Sequence, residues 1–551
     1  MSRLHDHFPY AFPRSQQIEI MDALAQYWDQ KQYFLIEAPT GTGKSGIAHA
    51  IAGWTGSAYV LTETKMLQDQ YVGEFEIAKS LKGRSNYTCF KNPAFTAETS
   101  PCTLNKHQRD ECRGKSGENM GRNICPYYIA RDEAFESEMM ITNYDFLMTM
   151  AKTIWHEDRK THWYRKAVIC DEGHCLEDKV TSHATIAIDT KKLAKRYKIP
   201  LDLGPFDDFS EEDLNEFLRE AQIPIQERLN ELGNTLGMGR SNAMMFADQK
   251  LENLSPAMAK QFREMLADYK ALDRMIKGLE LYWKNIDQDW IVRTLDDGHT
   301  VAATPLSAKL FFKKMMAPLG EKVIIMSATL GDPDAMCEEL GIDPSEAMAV
   351  RVDSPFDPSK SPVVMAASLD LSYKSFNANE KKLIETVDEL LAAHPTEKGI
   401  IHAGNYAVTK AILAKSKFKS RLIGKGSNDG KFVLSNEELI RQHTEDPDPT
   451  VLISPSMHTG VDLRGDLSKF QIIVKLPFMS LGDKRVKKKS EISQLWYVND
   501  VWKKIIQACG RSTRVETDEA ITYILDKAVT YQYNKFKDRL PRWFKKRVVW
   551  L

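Results

Sequence analysis

Ala38-Pro39-Thr40-Gly41-Thr42-Gly43-Lys44-Ser45 is the stretch from which the fold can be read. The apolar run Tyr33 to Glu37 precedes it, and a helical pattern follows. Strand, glycine-rich turn and helix, in that order, are the context a phosphate-binding loop requires. Glycines let backbone N–H groups approach phosphate oxygens, and the helix N-terminus adds positive potential. Thr40, Gly41, Thr42 and Gly43 would form the cradle. Lys44 would reach the β- and γ-phosphates, and the Ser45 hydroxyl would ligate Mg²⁺. The plainer alternative, a glycine-rich turn with a stray lysine, loses weight because a second site matches.

That site is Val168-Ile169-Cys170-Asp171-Glu172-Gly173-His174. A buried strand ending in two acids places Asp171 on Mg²⁺ and Glu172 beside the attacking water as general base. Alone, two acids after a strand usually make a solvated turn. His174 reads either as a link between nucleotide state and a second domain or as a hydrogen-bonded core residue. A third string, Gln507-Ala508-Cys509-Gly510-Arg511-Ser512-Thr513-Arg514, sets Gln507, Arg511 and Arg514 close to one helical face. Two guanidiniums beside a glutamine suit a γ-phosphate whose charge grows in the transition state. An amphipathic helix with a solvated basic face is the alternative for that string taken alone.

Around these motifs the chain reads as a soluble globular protein. Its 551 residues make about three to four domains' worth. Apolar residues are 42% and charged residues 27% of the sequence, an ordinary balance. The start, Met1-Ser-Arg-Leu-His-Asp-His, has no apolar core of a secretory signal, and no apolar run is long enough to cross a membrane. Lys and Arg (75) nearly cancel Asp and Glu (76), so any basic surface must be local.

The spacing predicts a helix from Gln16 to Trp28 and strands at 58–61, 167–170 and 323–326. Ser210-Glu211-Glu212-Asp213 is a capping box ahead of an apolar helical stripe, and Ser255-Pro256 opens another helix. Asp297-Gly298 between two β-like runs signals a hairpin. Strands are expected near 399–402, 450–454 and 471–475, with a Pro-containing linker at Asp353-Ser354-Pro355-Phe356-Asp357-Pro358. Residues 83–126 are different. There Gly, Asn, Pro, Ser, Cys and Lys replace periodic apolar residues, as in a loop-rich insert that cannot bury much of a core of its own.

Four of the eight cysteines, Cys89, Cys102, Cys112 and Cys125, fall within 37 consecutive residues of that insert. Eight in so long a chain are too few for a disulfide scaffold. Four thiolates can hold a [4Fe–4S] cluster or a closed tetrahedral Zn²⁺. The gaps of 12, 9 and 12 residues lack the short knuckles usual in zinc sites, which argues mildly for the cluster. Cys170, Cys175, Cys337 and Cys509 lie in or beside the other motifs and read as packing residues.

Taken together the strings resemble superfamily 2 helicases with a DEAH-type box, written here Asp171-Glu172-Gly173-His174. Ser327-Ala328-Thr329-Leu330 resembles motif III, Thr62 to Gln70 motif Ia, and Gly460-Val461-Asp462-Leu463 motif V. His402 to Tyr406 is placed as motif IV. Arg14 and Gln17 resemble the adenine-reading glutamine motif. Leu81 to Cys89 and Ile141 to Leu147 narrow the resemblance to the XPD/DinG family of iron–sulfur DNA helicases. It spans Arg14 to Arg514 and departs at Thr459, where the family usually has glutamate, and at Gly173, where alanine is common.

The resemblance implies two RecA-like α/β domains with an Fe–S insert and a helical arch inserted in the first. The expected division is 1–82, 127–176 and 306–350 for the first RecA-like domain, 83–126 for the cluster domain, 177–305 for the arch, and 351–551 for the second RecA-like domain. ATP, Mg²⁺ and a [4Fe–4S] cluster held by Cys89, Cys102, Cys112 and Cys125 are the implied cofactors. Gln17, Thr40 to Ser45, Asp171 and Asp462 would bind the nucleotide, and Glu172, Gln507, Arg511 and Arg514 would act on it. The implied activity is 5′→3′ translocation along single-stranded DNA by a cytoplasmic monomer that unwinds forked or tailed duplex in DNA repair, recombination or replication. Lys82, Arg84 and Lys91 would help line the pore where strands part.

Two basic stretches are further DNA candidates: Lys484-Arg485-Val486-Lys487-Lys488-Lys489, and the tail from Lys535 to Arg547, which interleaves Phe536, Trp543 and Phe544. Cations with aromatics suit a single strand, whose phosphates need neutralising and whose bases need stacking. A solvated basic face is the competing reading for each. Two rivals to the helicase stay open: an ATP-driven motor that strips proteins or RNA from DNA, and a scaffold whose ATP site gates assembly.

Overall fold

The computed structural model describes residues 3–103, 106–115, 121–154, 163–201, 204–206, 209–236, 255–287, 289–295, 297–316, 318–372, 374–424, 435–455, 465–510, 512–513 and 515–551. Among them, no helix is long and apolar enough to cross a membrane.

Two seven-stranded sheets dominate. One runs Ala347–Arg351, Tyr33–Glu37, Gly320–Ser327, Arg165–Cys170, Ala58–Thr62, Met139–Asn143 and Ala78–Ser80 in spatial order. The other runs Leu422–Gly424, Val451–Ser454, Gly399–His402, Phe470–Ile473, Ile521–Asp526, Val363–Leu369 and Val548–Trp550. The strand pairs within them are parallel, as between Ala58–Thr62 and Arg165–Cys170 or between Gly399–His402 and Val451–Ser454. Parallel strands are covered on both faces, so they read as continuous apolar runs rather than alternating ones. Tyr33–Glu37 and Ala58–Thr62 are buried at every position. This is why the short apolar runs around the motifs were legible as strands.

The chain divides into two compact units. The first comprises Met1–His7, Ala48–Ile324 and Glu339–Ile342. It carries the parallel strands Ala58–Thr62, Ala78–Ser80, Met139–Asn143 and Arg165–Cys170, the cysteine-rich insert and a helical region. Helix Glu211–Thr235 begins with the expected capping box, Ser210 with Asp213, and packs against helix Pro256–Lys284. The hairpin signal at Asp297-Gly298 joins Trp290–Thr294 to Thr300–Pro305, which pair antiparallel beside Ile186–Asp189. The insert does not fold on a core of its own. Phe95 and Cys102 pack with Ala259, Phe262 and Leu266 of the long helix, so the loop-rich segment borrows apolar surface from the helical region.

The second unit comprises Phe8–Ile47, Ile325–Glu338 and Asp343–Leu551. It holds the phosphate-loop candidate, the motif III turn and the whole second sheet. Its core includes Val363, Met365, Ile505, Ile524, Trp502, Phe536, Trp543 and Phe544. The tail aromatics Phe536, Trp543 and Phe544 are 5%, 8% and 0% exposed. They therefore fill a core rather than present faces to nucleic-acid bases, which overturns the expectation of a stacking surface there.

Candidate functional site

Strand Tyr33–Glu37 leads into residues 38–43, and helix Lys44–Thr55 starts at the lysine. Gly41 and Gly43 have φ of +84° and +75°, a region that L side chains rarely adopt. Both glycines are also hemmed in. A Cβ on Gly41 would lie 2.3 Å from Cζ of Phe356, and one on Gly43 would lie 2.5 Å from Nε2 of Gln17. Thr42, fully buried, donates its hydroxyl to the Pro39 carbonyl at 2.6 Å and fixes the turn. Lys44 Nζ lies 3.2 Å from the Ala38 carbonyl, folded across the mouth of the loop. The Ala38 N–H donates to the Ser327 carbonyl at 2.9 Å, so the loop starts from the end of the motif III strand.

The Arg14–Gln17 pair braces the same loop. Gln17 is 4% exposed, accepts from the Arg14 N–H at 2.7 Å, and donates to the Gly43 carbonyl at 3.4 Å. Arg14 Nη1 donates to the Gly41 carbonyl. A cavity of about 410 Å³ opens at the loop, lined by Pro39, Thr40, Phe356, Gly510, Thr513, Trp543 and Arg547 among others. Gln507 lies on helix Gln494–Cys509, half-buried, three residues before Gly510 in that lining. Asp462, Thr459, Arg511 and Arg514 lie outside the described residues.

Glu37, at the end of the strand before the loop, is 1% exposed and paired with Arg351 Nε at 2.5 Å. Burial pushes its carboxyl up to about 7, against the lowering effect of the Arg351 guanidinium. Arg351 also donates to the carbonyls of Arg539 at 2.7 Å and Gly331 at 3.2 Å. Arg539 reaches Asp332 at 2.7 Å and Asp334 at 3.0 Å. Asn499, from the helix that carries Gln507, accepts from the Asp332 N–H at 2.8 Å. A polar ring thus ties the phosphate-loop strand to the turn after motif III. The sequence reading missed it because its members are scattered over several hundred residues.

In the other unit, strand Arg165–Cys170 delivers Asp171, which is 7% exposed. Tyr71 donates its hydroxyl to Asp171 Oδ2 at 2.9 Å, and Tyr144 donates to the Asp171 carbonyl at 2.7 Å. Both tyrosine hydroxyls are held well above their ordinary range by burial, with the nearby acids adding to it for Tyr71. Tyr71 lies on helix Lys65–Glu74 behind motif Ia, and Tyr144 falls in the Ile141-to-Leu147 string. The Glu172 N–H donates to Asp171 Oδ1 at 3.1 Å. Glu172 has φ of +53°, a left-handed conformation that costs a non-glycine residue on the order of 1 kcal/mol or more. Strain of this kind clusters where a side chain has to be aimed. His174 Nδ1 sits 3.3 Å from Glu172 Oε2, so the histidine faces the second acid of the box.

Cys89, Cys102, Cys112 and Cys125 line one cavity with Phe90, Ala97, Ile124 and Tyr128. All four are free thiols. Burial, with the neighbouring cysteines adding to it, holds the Cys102 proton and pushes Cys112 up to about 12. Among the described residues, no group of three or more His, Cys, Asp or Glu side chains is arranged to hold a metal ion. Cys170, Cys337 and Cys509 are buried in packing positions, as expected. Of the cations beside the cluster cysteines, Lys82 pairs with Asp69 at 2.6 Å and Lys91 with Glu111 at 2.9 Å, while Arg84 lies over the Tyr127 ring. On the basic helix Lys484–Ile492, Lys484 and Lys487 are exposed but Lys489 is 5% exposed and packs 4.1 Å from the Trp496 ring.

Two family models match the chain: "Type III restriction enzyme, res subunit" over residues 11–201 and "Helicase C-terminal domain" over residues 405–547. A probable ATP-dependent helicase of Methanocaldococcus jannaschii is 21% identical, covering 95% of this chain and 93% of its own. The ATP-dependent DNA helicase YoaA of Escherichia coli is 23% identical, covering 93% and 91%. A solved structure titled XPD helicase shares 14% identity at a TM-score of 0.60, covering 98% of this chain and 100% of that one. Two RecA-like domains bearing a phosphate loop and a strand-end acid pair define a superfamily 2 helicase. Within that class, the chain is similar to helicases of the XPD/DinG family.

Proposed function

We infer that this protein is an ATP-dependent DNA helicase that moves 5′→3′ along single-stranded DNA and opens forked or tailed duplex. The observation that carries the reading is the loop at 38–45, two left-handed glycines and Lys44 between a fully buried strand and a helix N-terminus. Such a loop binds phosphates through its backbone N–H groups. Lys44 would take the β- and γ-phosphates, Ser45 and Asp171 would be the side chains that hold Mg²⁺, and Gln17 with Arg14 would meet the base. Glu172, aimed by its left-handed backbone, accepts the proton of the attacking water. Gln507, Arg511 and Arg514 stabilise the growing γ-phosphate charge, and Asp462 contacts the nucleotide. The RecA-like domains and inserts follow the divisions 1–82, 83–126, 127–176, 177–305, 306–350 and 351–551. The protein acts as a monomer in the cytoplasm, at nucleoid DNA, in repair, recombination or replication.

The four cysteines that line one cavity support an iron–sulfur group there. Their donor set is all thiolate, as such a cluster demands. When bound, the group supplies cross-linking of the loop-rich segment. Cys89, Cys102, Cys112 and Cys125 hold it, and Phe95 docks the segment on Phe262. The test is ATP-dependent unwinding of forks with a 5′ or a 3′ tail, alongside iron and sulfide counts. Unwinding of the 3′-tailed fork alone would overturn the direction, and absence of ATP-dependent unwinding on both would overturn the helicase.

A further inference from the structure

Three guanidiniums converge on one ring at the cysteine cavity. Tyr128 lines that cavity and is 5% exposed. The Arg113 guanidinium lies 4.6 Å from its ring centroid, Arg131 4.7 Å and Arg84 5.6 Å. Arg84 also sits 4.6 Å over Tyr127 and donates to the Tyr128 hydroxyl at 3.1 Å. Arg113 follows Cys112 directly, and Arg84 precedes Cys89 by five residues. Three cations on one aromatic ring repel one another, and cation–π attraction of about 1–2 kcal/mol per pair is a modest return for that crowding. Something negative must be expected nearby.

The three are not equivalent. Arg131 is ion-paired with Asp132, so its charge is already met. Among the described residues Arg84 and Arg113 form no ion pair with a carboxylate, and the Arg113 Nε is buried without a hydrogen-bond partner. Four cysteine thiolates around one cavity bring four negative charges into a half-enclosed, partly apolar space. The arrangement therefore places two guanidiniums that pair with no described carboxylate where a polyanionic group would need them.

We propose that Arg84 and Arg113 are the counter-charges of the group held by the four cysteines and that they set its reduction potential. The inference rests on the iron–sulfur reading. Reduction of a four-thiolate [4Fe–4S] group by one electron, supplied by dithionite, takes the site from two net negative charges to three. No bond breaks and no proton moves. Fixed positive charge favours the more negative state, so each guanidinium raises the potential, while Tyr128 holds both in place. Arg84 and Arg113 are positioning residues here: they touch neither nucleotide nor the iron.

The test uses anaerobically purified full-length protein, with iron counts and an electron paramagnetic resonance redox titration. Arg84→Gln and Arg113→Gln are each expected to retain iron and lower the reduced-to-oxidised ratio at fixed potential about tenfold, roughly 59 mV for one electron. Arg84→Lys and Arg113→Lys keep the charge and are expected to restore most of that ratio. Unchanged potentials in both glutamine variants at full iron content would overturn the proposal. Loss of iron in the glutamine variants but not the lysine variants would support it. Loss in all four would overturn it, because the shape of the guanidinium and not its charge would then matter. A wild-type protein without iron would overturn the iron–sulfur reading itself, and the proposal with it.

Discussion

The buried Glu37–Arg351 pair makes a demanding test of the electrostatics around the phosphate loop. The two residues are register partners on adjacent parallel strands, Tyr33–Glu37 and Ala347–Arg351. Glu37 is 1% exposed and its carboxyl is raised from 4.5 to about 7. The folded state thus holds this proton more tightly than the unfolded chain does. Its contribution is complete below the unfolded value and is lost as pH rises through about 7, by about 3 kcal/mol in all. Arg351→Met keeps the bulk but removes the charge. At pH 8 it leaves a buried carboxylate without its cation, a loss of about 3–5 kcal/mol. At pH 5 the carboxyl is protonated and needs no cation. There the cost falls to the hydrogen bonds that Arg351 gives Arg539 and Gly331, about 1 kcal/mol each. At about 3 °C per kcal/mol for a unit of this size, the melting temperature should drop by about 12 °C at pH 8 and about 6 °C at pH 5. Scanning calorimetry at the two pH values measures both. The double variant Glu37→Gln/Arg351→Met should recover about half of the loss at pH 8, down to the deficit seen at pH 5. Equal deficits at the two pH values, or strict additivity in the double variant, would refute the reasoning.

Three further outcomes can be checked. Lys44→Ala should abolish ATP hydrolysis while leaving much single-strand binding, measured by steady-state ATPase and fluorescence anisotropy; near-normal ATPase would remove the phosphate-loop assignment. Single-strand affinity should fall with salt at a log–log slope of about −3.5 if about five phosphates are neutralised, on the order of 100-fold between about 50 and 200 mM. Lys484, Lys487, Lys535, Lys537 and Arg542 are exposed and able to contribute, and a flat response would leave them facing solvent. Cys112→Ser should lose iron and duplex unwinding but keep basal ATPase, since Lys44, Asp171 and Glu172 lie outside the insert; wild-type unwinding without bound metal would make the four cysteines incidental.

Local signals carried far in this chain. Strand Tyr33–Glu37, helix Lys44–Thr55, the Ser210 capping box and the Asp297-Gly298 hairpin all follow from residues within a few positions of one another. Buried parallel strands need apolar side chains on both faces, and glycine must occupy left-handed turns, so each leaves a mark in the sequence. The phosphate loop and the strand-end acids were legible for that reason.

Other features were decided only by the tertiary fold. Short or mixed strands such as Ala78–Ser80 and Val548–Trp550 gain their pairing from a neighbouring strand and carry no strong pattern of their own. The tail's cations and aromatics looked like a single-strand surface, yet Trp543 and Phe544 are core residues, because hydrophobic burial outweighs any local motif. Tyr71 and Tyr144 meet Asp171 from different elements, and Arg351 meets Glu37 from 314 residues away. Chain order alone gave which residue types could bind phosphate and which thiols were clustered. Only folding determined their partners, because hydrogen bonds and ion pairs depend on distance in space, and chain separation does not encode it.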